Sequence, residues 1–252
     1  TPLYSSAASD VYKRQVKYDL ISILKSPYTY LAFILVIGMT VFQASMMANY
    51  SSAHKVNIDM VFNLANWLFL FAGLLFIIKT ITRDYSQGTI QLFMSRITSR
   101  MGYIITKTVS IVLISFLFTI IHYLVIIIIQ STTKSEKMDG DRFLNNIWFY
   151  LIFFLFFGLF LLLITLIVEK PAVIFTLGIF LILIVPFIQP FIPMIPNIGD
   201  DIQDSFKYIP FTYLTEKMTG EIKFSNWQWF ISIASIVVLF IANMLYASKR
   251  DI

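Results

Sequence analysis

The stretch TRDYSQGTIQLFMSRITSRMGYIITK, residues 82–107, decides how this chain is read. It lies between two long apolar runs. Ile90, Phe93, Met94, Ile97 and Met101 recur at helical spacing, and Gln91, Ser95, Thr98 and Arg100 fill the other side. Its basic residues are Arg83, Arg96, Arg100 and Lys107, with Lys79 just ahead, against a single acid, Asp84. This pattern predicts a short two-faced helix over about residues 89–101. Ser86 or Asp84 is placed to cap its start, and Gly88 permits an abrupt turn before it. A basic amphipathic helix of this kind lies on a membrane surface and offers its first turn to water.

The rest of the chain supplies the membrane. Hydrophobic residues make up 58% and charged residues 13%, with a mean hydropathy of +0.79. A soluble domain carries about 25% charged residues, so this chain lacks the polar groups to cover itself in water. Its apolar runs are continuous, without the period-two alternation of a membrane β-barrel. An all-α, polytopic membrane protein with six transmembrane helices is expected. A span needs roughly 20 apolar residues, and the runs at about 28–48, 61–80, 104–130, 147–168, 172–189 and 228–247 qualify within one transmembrane domain, residues 28–252. The chain has no cysteine, which removes disulfides, thiol nucleophiles and zinc knuckles. Two histidines are too few for a histidine-rich metal site.

Loop charge sets the orientation. With the N terminus inside, the inner side holds twelve of the nineteen basic residues and five acids; the outer side holds seven basic residues and nine acids. The positive-inside rule then puts both termini in the cytoplasm. Trp148, Trp227 and Trp229 fall at outer ends of spans, where such rings settle at headgroup level. Residues 16–27 begin with VKYDLISILK, whose Val16, Leu20, Ile23 and Leu24 share one side; an N-terminal interfacial helix on the cytoplasmic face is predicted, turning into the first span at Pro27. Residues 190–227 are proline-rich and apolar at PFIPMI, which predicts an extracellular short-helical hairpin rather than one regular helix. The first fifteen residues, TPLYSSAASDVYKRQ, resemble a translated adapter sequence and are expected to be a non-native tail.

Polar residues inside the spans are few. Ser115, Thr119 and His122 lie at i, i+4 and i+7 on the third span, and Asn63 and Asn66 at i and i+3 on the second. They are candidates for a transport path, and equally for interhelical packing at about 0.6 kcal/mol per bond. None of the six runs has an acid or base near its centre. The sequence also lacks the paired Asp, Ser-His or His-Glu-x-x-His arrangements an intramembrane protease needs. Enzymatic function is not expected, and nothing in the pattern calls for nucleic acid.

Arg83-Asp84-Tyr85-Ser86-Gln87-Gly88-Thr89-Ile90, followed by Ser99-Arg100 and Lys107, resembles the signature of ABC-2 type exporter permeases. The acid-x3-Gly-Thr spacing is met by Asp84, Gly88 and Thr89. The chain departs from the pattern in having Asp84 where Glu is usual and Ile97 where Pro is usual. The resemblance implies a cytoplasmic coupling helix between spans two and three (segment 82–101). It implies that Arg83, Asp84, Tyr85, Gln87, Gly88, Thr89, Gln91, Leu92, Ser95, Arg96 and Arg100 contact a separate ATPase. It further implies two copies of that ATPase, which carries the ATP and Mg, and a second permease copy or a paralogue. This chain has no Gly-x4-Gly-Lys-Ser/Thr loop, so no cofactor is expected on it. Its size is similar to compact permeases of Gram-positive bacteria, of the phenol-soluble-modulin exporter kind. An amphipathic peptide is the cargo implied, with a lipid, a glycolipid or a small drug as the alternative. An ATP-independent channel or a membrane scaffold is the competing class.

Overall fold

The computed structural model describes residues 2–50, 56–91, 97–135, 137–196 and 198–249, with backbone only at 2–11, 97–99, 185, 190 and 200. Within them the chain forms α1 (Pro2–Leu24), α2 (Pro27–Tyr50), α3 (Ile58–Ser86), α4 (Ile97–Thr132), α5 (Gly140–Val168) and α6 (Pro171–Ile188). A 3-10 turn (Gln189–Met194) follows, then α7 (Gly199–Phe206), α8 (Pro210–Glu216) and α9 (Asn226–Lys249). Six of these, α2 to α6 and α9, hold stretches long and apolar enough to cross a membrane. The chain therefore has the make-up of a multi-pass membrane protein. Successive long helices run in opposite directions, so the bundle has an α1 end and a far end, where α7 and α8 lie.

Several helices outrun their apolar cores because polar side chains start or stop them. Asn57 caps α3, its Oδ1 accepting from the backbone N–H of Asp59 and Met60 at 3.1 Å each. Asp139 caps α5 through the N–H of Asp141 at 3.2 Å, so that helix begins at Gly140 and not at 147. At its other end Glu169 takes a left-handed backbone with φ 57°, and Pro171 opens α6 two residues later. Pro190 and Pro193 withhold the N–H groups an α-helix needs, and the chain after Ile188 tightens into the 3-10 turn. Short helices follow, as the proline-rich stretch predicts.

Of the helix expected over about 89–101, only the two ends are described. Residues 87–89 turn, Ile90 and Gln91 are helical, and from Ile97 onward the chain already belongs to α4. Ile97, Arg100 and Met101 thus ride on the third span's own helix, while residues 92–96 lie outside the described residues. The N-terminal helix also starts earlier than residue 16, at Pro2. Its inward face is Gln15, Asp19 and Ile23, not the expected set Val16, Leu20, Ile23 and Leu24. Val16, Leu20 and Leu24 instead border a shallow groove with Ile105 and Val109 of α4. The reason is electrostatic: Asp19 finds cations inside the bundle, and its helix rotates to bring it there.

The inner helices are α3 and α5, with 72% and 61% of their most apolar stretches buried, against 17% for α2 and α9. Aromatic rings fill the space between them. Phe118 of α4 is fully buried, with ring centroids 5.3 Å from Phe33, 5.7 Å from Phe76, 6.4 Å from Phe69 and 6.1 Å from Phe154. Amide side chains tie the periphery to this centre. Asn243 of α9 donates to the Leu159 carbonyl at 2.9 Å, and Asn66 of α3 to the Met218 carbonyl at 2.8 Å.

At Gly73 a Cβ would overlap the Phe154 ring, which Tyr150, Phe153 and Phe118 hold in place. A Cβ at Gly38 would meet nothing within 4 Å. Gly73→Ala is therefore expected to destabilise the detergent-solubilised protein by about 1–3 kcal/mol, the usual range for overpacking. Gly38→Ala should leave it unchanged or slightly raise it, since Ala is the better helix former by about 1 kcal/mol. Thermal unfolding of the two variants side by side measures the difference.

Candidate functional site: a buried charge cluster beneath the turn from α3 to α4

At the α1 end, three helices bring four charges together. Lys107, one of the basic residues of the opening stretch, is fully buried on α4. Its Nζ lies 2.7 Å from Asp84 Oδ2, 3.1 Å from Asp19 Oδ2 and 3.3 Å from Asp19 Oδ1, and donates to the Thr80 carbonyl at 3.0 Å. The Asp84 contact is an ion pair off the hydrogen-bonding direction, so it acts through charge, not through an aligned donor. Asp19, fully buried on α1, also accepts from Ser110 Oγ at 2.9 Å and forms a close ion pair with Arg83. Arg83 donates to Ser22 Oγ at 2.6 Å, lies 3.7 Å from Asp84 and stacks its guanidinium over the Tyr18 ring at 4.6 Å.

Two carboxylates and two cations make the cluster neutral, and each carboxylate touches both cations. Neutrality is what lets four charges sit in a low-dielectric interior, where an isolated ion would cost several kcal/mol. A second, looser tie runs alongside: Lys79 donates to Ser26 Oγ at 2.9 Å and lies 5.6 Å over the Tyr28 ring, holding the junction between α1 and α2.

Directly above the cluster the backbone leaves α3. The N–H of Gln87 bonds the Arg83 carbonyl at 2.9 Å, and that of Gly88 bonds the Tyr85 carbonyl at 3.2 Å. Gly88 has φ +67°, a left-handed conformation that other residues rarely adopt, and open space around it. Thr89 Oγ1 returns to the Asp84 carbonyl at 3.3 Å. Ser86, Gln87, Gly88 and Gln91 are exposed. The turn is therefore a surface knob whose first hydrogen bonds are made to the very residues that hold the buried charges.

The residues expected to face an ATPase divide accordingly. Gln87, Gly88 and Gln91 are on the surface, and Arg83, Tyr85, Thr89 and Arg100 are half-buried. Asp84 is buried within α3, and neither it nor Ser86 caps a following helix: Asp84 is committed to Lys107, and Ser86 Oγ donates back to the Thr82 carbonyl at 3.0 Å. Leu92, Ser95 and Arg96 lie outside the described residues. The transport-path candidates are gathered toward the far end. Asn66, Ser115, Thr119 and His122 are buried, while Asn63 is half-buried. Thr119 donates to the Ser115 carbonyl at 2.8 Å. His122 meets two residues the sequence reading passed over, Asn146 at 3.2 Å and Tyr150 at 3.1 Å. Asp19 was passed over as well; its signal was a lone acid inside an otherwise apolar and basic segment. No group of three or more His, Asp or Glu able to hold a metal occurs among the described residues.

The architecture is that of a helical membrane bundle with a charge-locked end. The chain matches, over residues 20–252, the family described as a protein of unknown function, DUF2705, and it belongs to that family. No curated protein matches the sequence.

Lys107→Met leaves Asp19 and Asp84 with one cation between them. It is expected to cost about 3–5 kcal/mol, the scale for orphaning a buried charge. Combining it with Asp84→Asn leaves the neutral Asp19–Arg83 pair and should restore part of the loss. Thermal unfolding of both variants in detergent checks this; a double variant no more stable than the single would mean charge balance is not what holds the cluster.

Proposed function

We propose that this chain is the membrane subunit of an ATP-driven exporter of the ABC-2 type, residing in a bacterial cytoplasmic membrane with the α1 end in the cytoplasm. In this reading the exposed turn at residues 86–91 is where a separate ATPase pushes. One observation carries the reading: the surface turn hangs from Arg83, Tyr85 and Asp84, and Arg83 and Asp84 belong to a charge cluster that joins α1, α3 and α4. A force on the turn therefore reaches three helices through ion pairs and not through a flexible loop. The acid-x3-Gly-Thr motif and the basic excess on that side support the same assignment.

Among the described residues the coupling surface is then narrower than the motif alone implies. Gln87, Gly88 and Gln91 are available to a partner, whereas Asp84 and Lys107 act from inside as the brace. An amphipathic peptide is the cargo that suits a bundle this rich in aromatic rings, and lipid-like molecules are the next class. Two permeases, identical or paralogous, with two ATPases make the working unit.

The experiment asks whether a P-loop ATPase is encoded beside the gene, co-expresses the two chains, and measures co-purification and ATPase activity with and without an amphipathic peptide. The two chains should co-purify, and peptide should stimulate hydrolysis. Gly88→Val strains the turn without touching the charges. It is expected to lower that stimulation on the order of tenfold, the scale of a coupling of 1–3 kcal/mol, at unchanged thermal stability. A permease that purifies alone and passes current without ATP would instead be a channel.

A further inference from the structure

Opposite the charge cluster, the far end carries an open pocket of about 860 Å³ among the starts of α3 and α5 and the segment before α9, with Asp59, Asn63, Arg142 and Asn145 in its wall. Arg142 forms a close ion pair with Asp59, donates to Asn63 Oδ1 at 2.8 Å, and lays its guanidinium 4.5 Å over the Phe62 ring. Phe62 in turn lies 4.8 Å from the His122 ring. Arg142, Asn146 and Tyr150 sit at i, i+4 and i+8 on one face of α5, each step about 6 Å deeper along the helix. Exposure falls abruptly down this column: the Arg142 side chain is 22% exposed, Asn146 is 1% and Tyr150 and His122 are 0%.

The deep group has a definite hydrogen-bonding character. Asn146 Nδ2 can only donate, so it donates to His122 Nδ1, and the Tyr150 hydroxyl approaches the same nitrogen. The imidazole proton therefore belongs on Nε2. His122 Nε2 and Asn146 Oδ1 are buried with no partner among the described residues. His122 Nε2–H is left as a donor and Asn146 Oδ1 as an acceptor, each able to take a water, an alcohol or an amide. Buried polar groups are nearly always paired, which makes two orphans in one cluster a statement about what the cluster takes up.

We propose that His122, Asn146 and Tyr150 form a binding site for water or a small hydroxyl or amide group, closed from the far-end pocket by Arg142 lying over Phe62. Releasing Arg142 from Asp59 and Asn63 uncovers Phe62, whose ring lies 4.8 Å from the imidazole. The inference stands on the geometry of this end and does not require an ATPase partner.

The chain has no cysteine, so single-cysteine variants report accessibility directly. Asn145→Cys lines the open pocket, and Asn146→Cys, its neighbour, lies in the closed site. Both are reacted with a charged methanethiosulfonate in lipid nanodiscs, where both ends of the bundle face water. Asn145→Cys should react quickly throughout, and Asn146→Cys slowly while Arg142 is intact. Adding Arg142→Ala should accelerate Asn146→Cys on the order of tenfold, the change expected where a charge-assisted hydrogen bond holds the closed form. Asp59→Ala should do so to a lesser extent; Asp59 is 62% exposed, so its loss leaves the packing intact. Ser115→Cys, two turns below His122, should stay slow in every background, which separates local opening from unfolding. Asn146→Cys reacting as fast as Asn145→Cys with Arg142 present, or remaining slow in both the Arg142→Ala and Asp59→Ala backgrounds, overturns the proposal.

Discussion

An ammonium group with no exposed surface must be answered by negative charge, and Lys107 is answered by two carboxylates on two different helices. That requirement organises the whole α1 end. Asp84 alone would neutralise Lys107, but Arg83 is its neighbour on α3 and needs an acid of its own. Asp19 supplies it from a segment 88 residues away from Lys107. Because Asp19 must reach both cations, α1 turns its polar stripe inward and leaves apolar Leu24 half in the open. An orphaned buried charge costs about 3–5 kcal/mol, and here four charges depend on the same rotation.

The two ends of the bundle solve different problems. At the α1 end every charge of the cluster is matched, while the Gln15 amide and Arg83 Nε lack a partner among the described residues. Toward the far end the buried polar groups are neutral and only partly matched, with Asn66 Oδ1, Ser115 Oγ, His122 Nε2 and Asn146 Oδ1 all lacking a partner among the described residues. Between them lies a dry layer in which Phe118 touches rings from α2, α3 and α5. Close-packed aromatic layers are stiff. A displacement of α4 at Lys107 is thus carried along the helix to Phe118 and on to His122, all on the same rod. A neutral charge cluster, a packed aromatic middle and a neutral, partly matched far end are the parts through which the proposed coupling would run.

The long apolar runs made the six helices legible from the sequence, because no other structure satisfies a backbone in hydrocarbon. Helix ends were less legible, since Asn57 and Asp139 extend α3 and α5 by capping and caps are single residues within polar context. The start of α4 at Ile97, ahead of its apolar run, was not legible for a related reason. A pattern of Ile90, Ile97 and Met101 at helical spacing does not reveal that the last two continue into the next span. The site was half legible. The motif pointed at Asp84, Gly88 and Lys107, but a linear pattern cannot tell a residue that faces a partner from one that faces the core. Pairings such as Asp19 with Lys107 or Arg142 with Asp59 join positions more than 80 apart, and a single sequence holds no signal for them.

That distinction changes what the motif means physically. Asp84 carries its backbone carbonyl toward Thr89 and its carboxylate toward Lys107, so one residue joins the turn to the lock. If the carboxylate were the contact with a partner, binding would have to compete with a buried ammonium that has nowhere else to go. The partner would then face a cost of several kcal/mol before gaining anything. A contact made by Gln87, Gly88 and Gln91 carries no such penalty, because those residues are exposed already and the carboxylate stays where it is. Spacing between the acid and the Gly-Thr pair is then a mechanical constraint. Asp84 lies in the last turn of α3, which ends at Ser86, so the buried carboxylate sits just behind the exposed knob. In the proposed coupling, a shorter spacing would pull the knob toward the core and a longer one would lengthen the lever acting on α4.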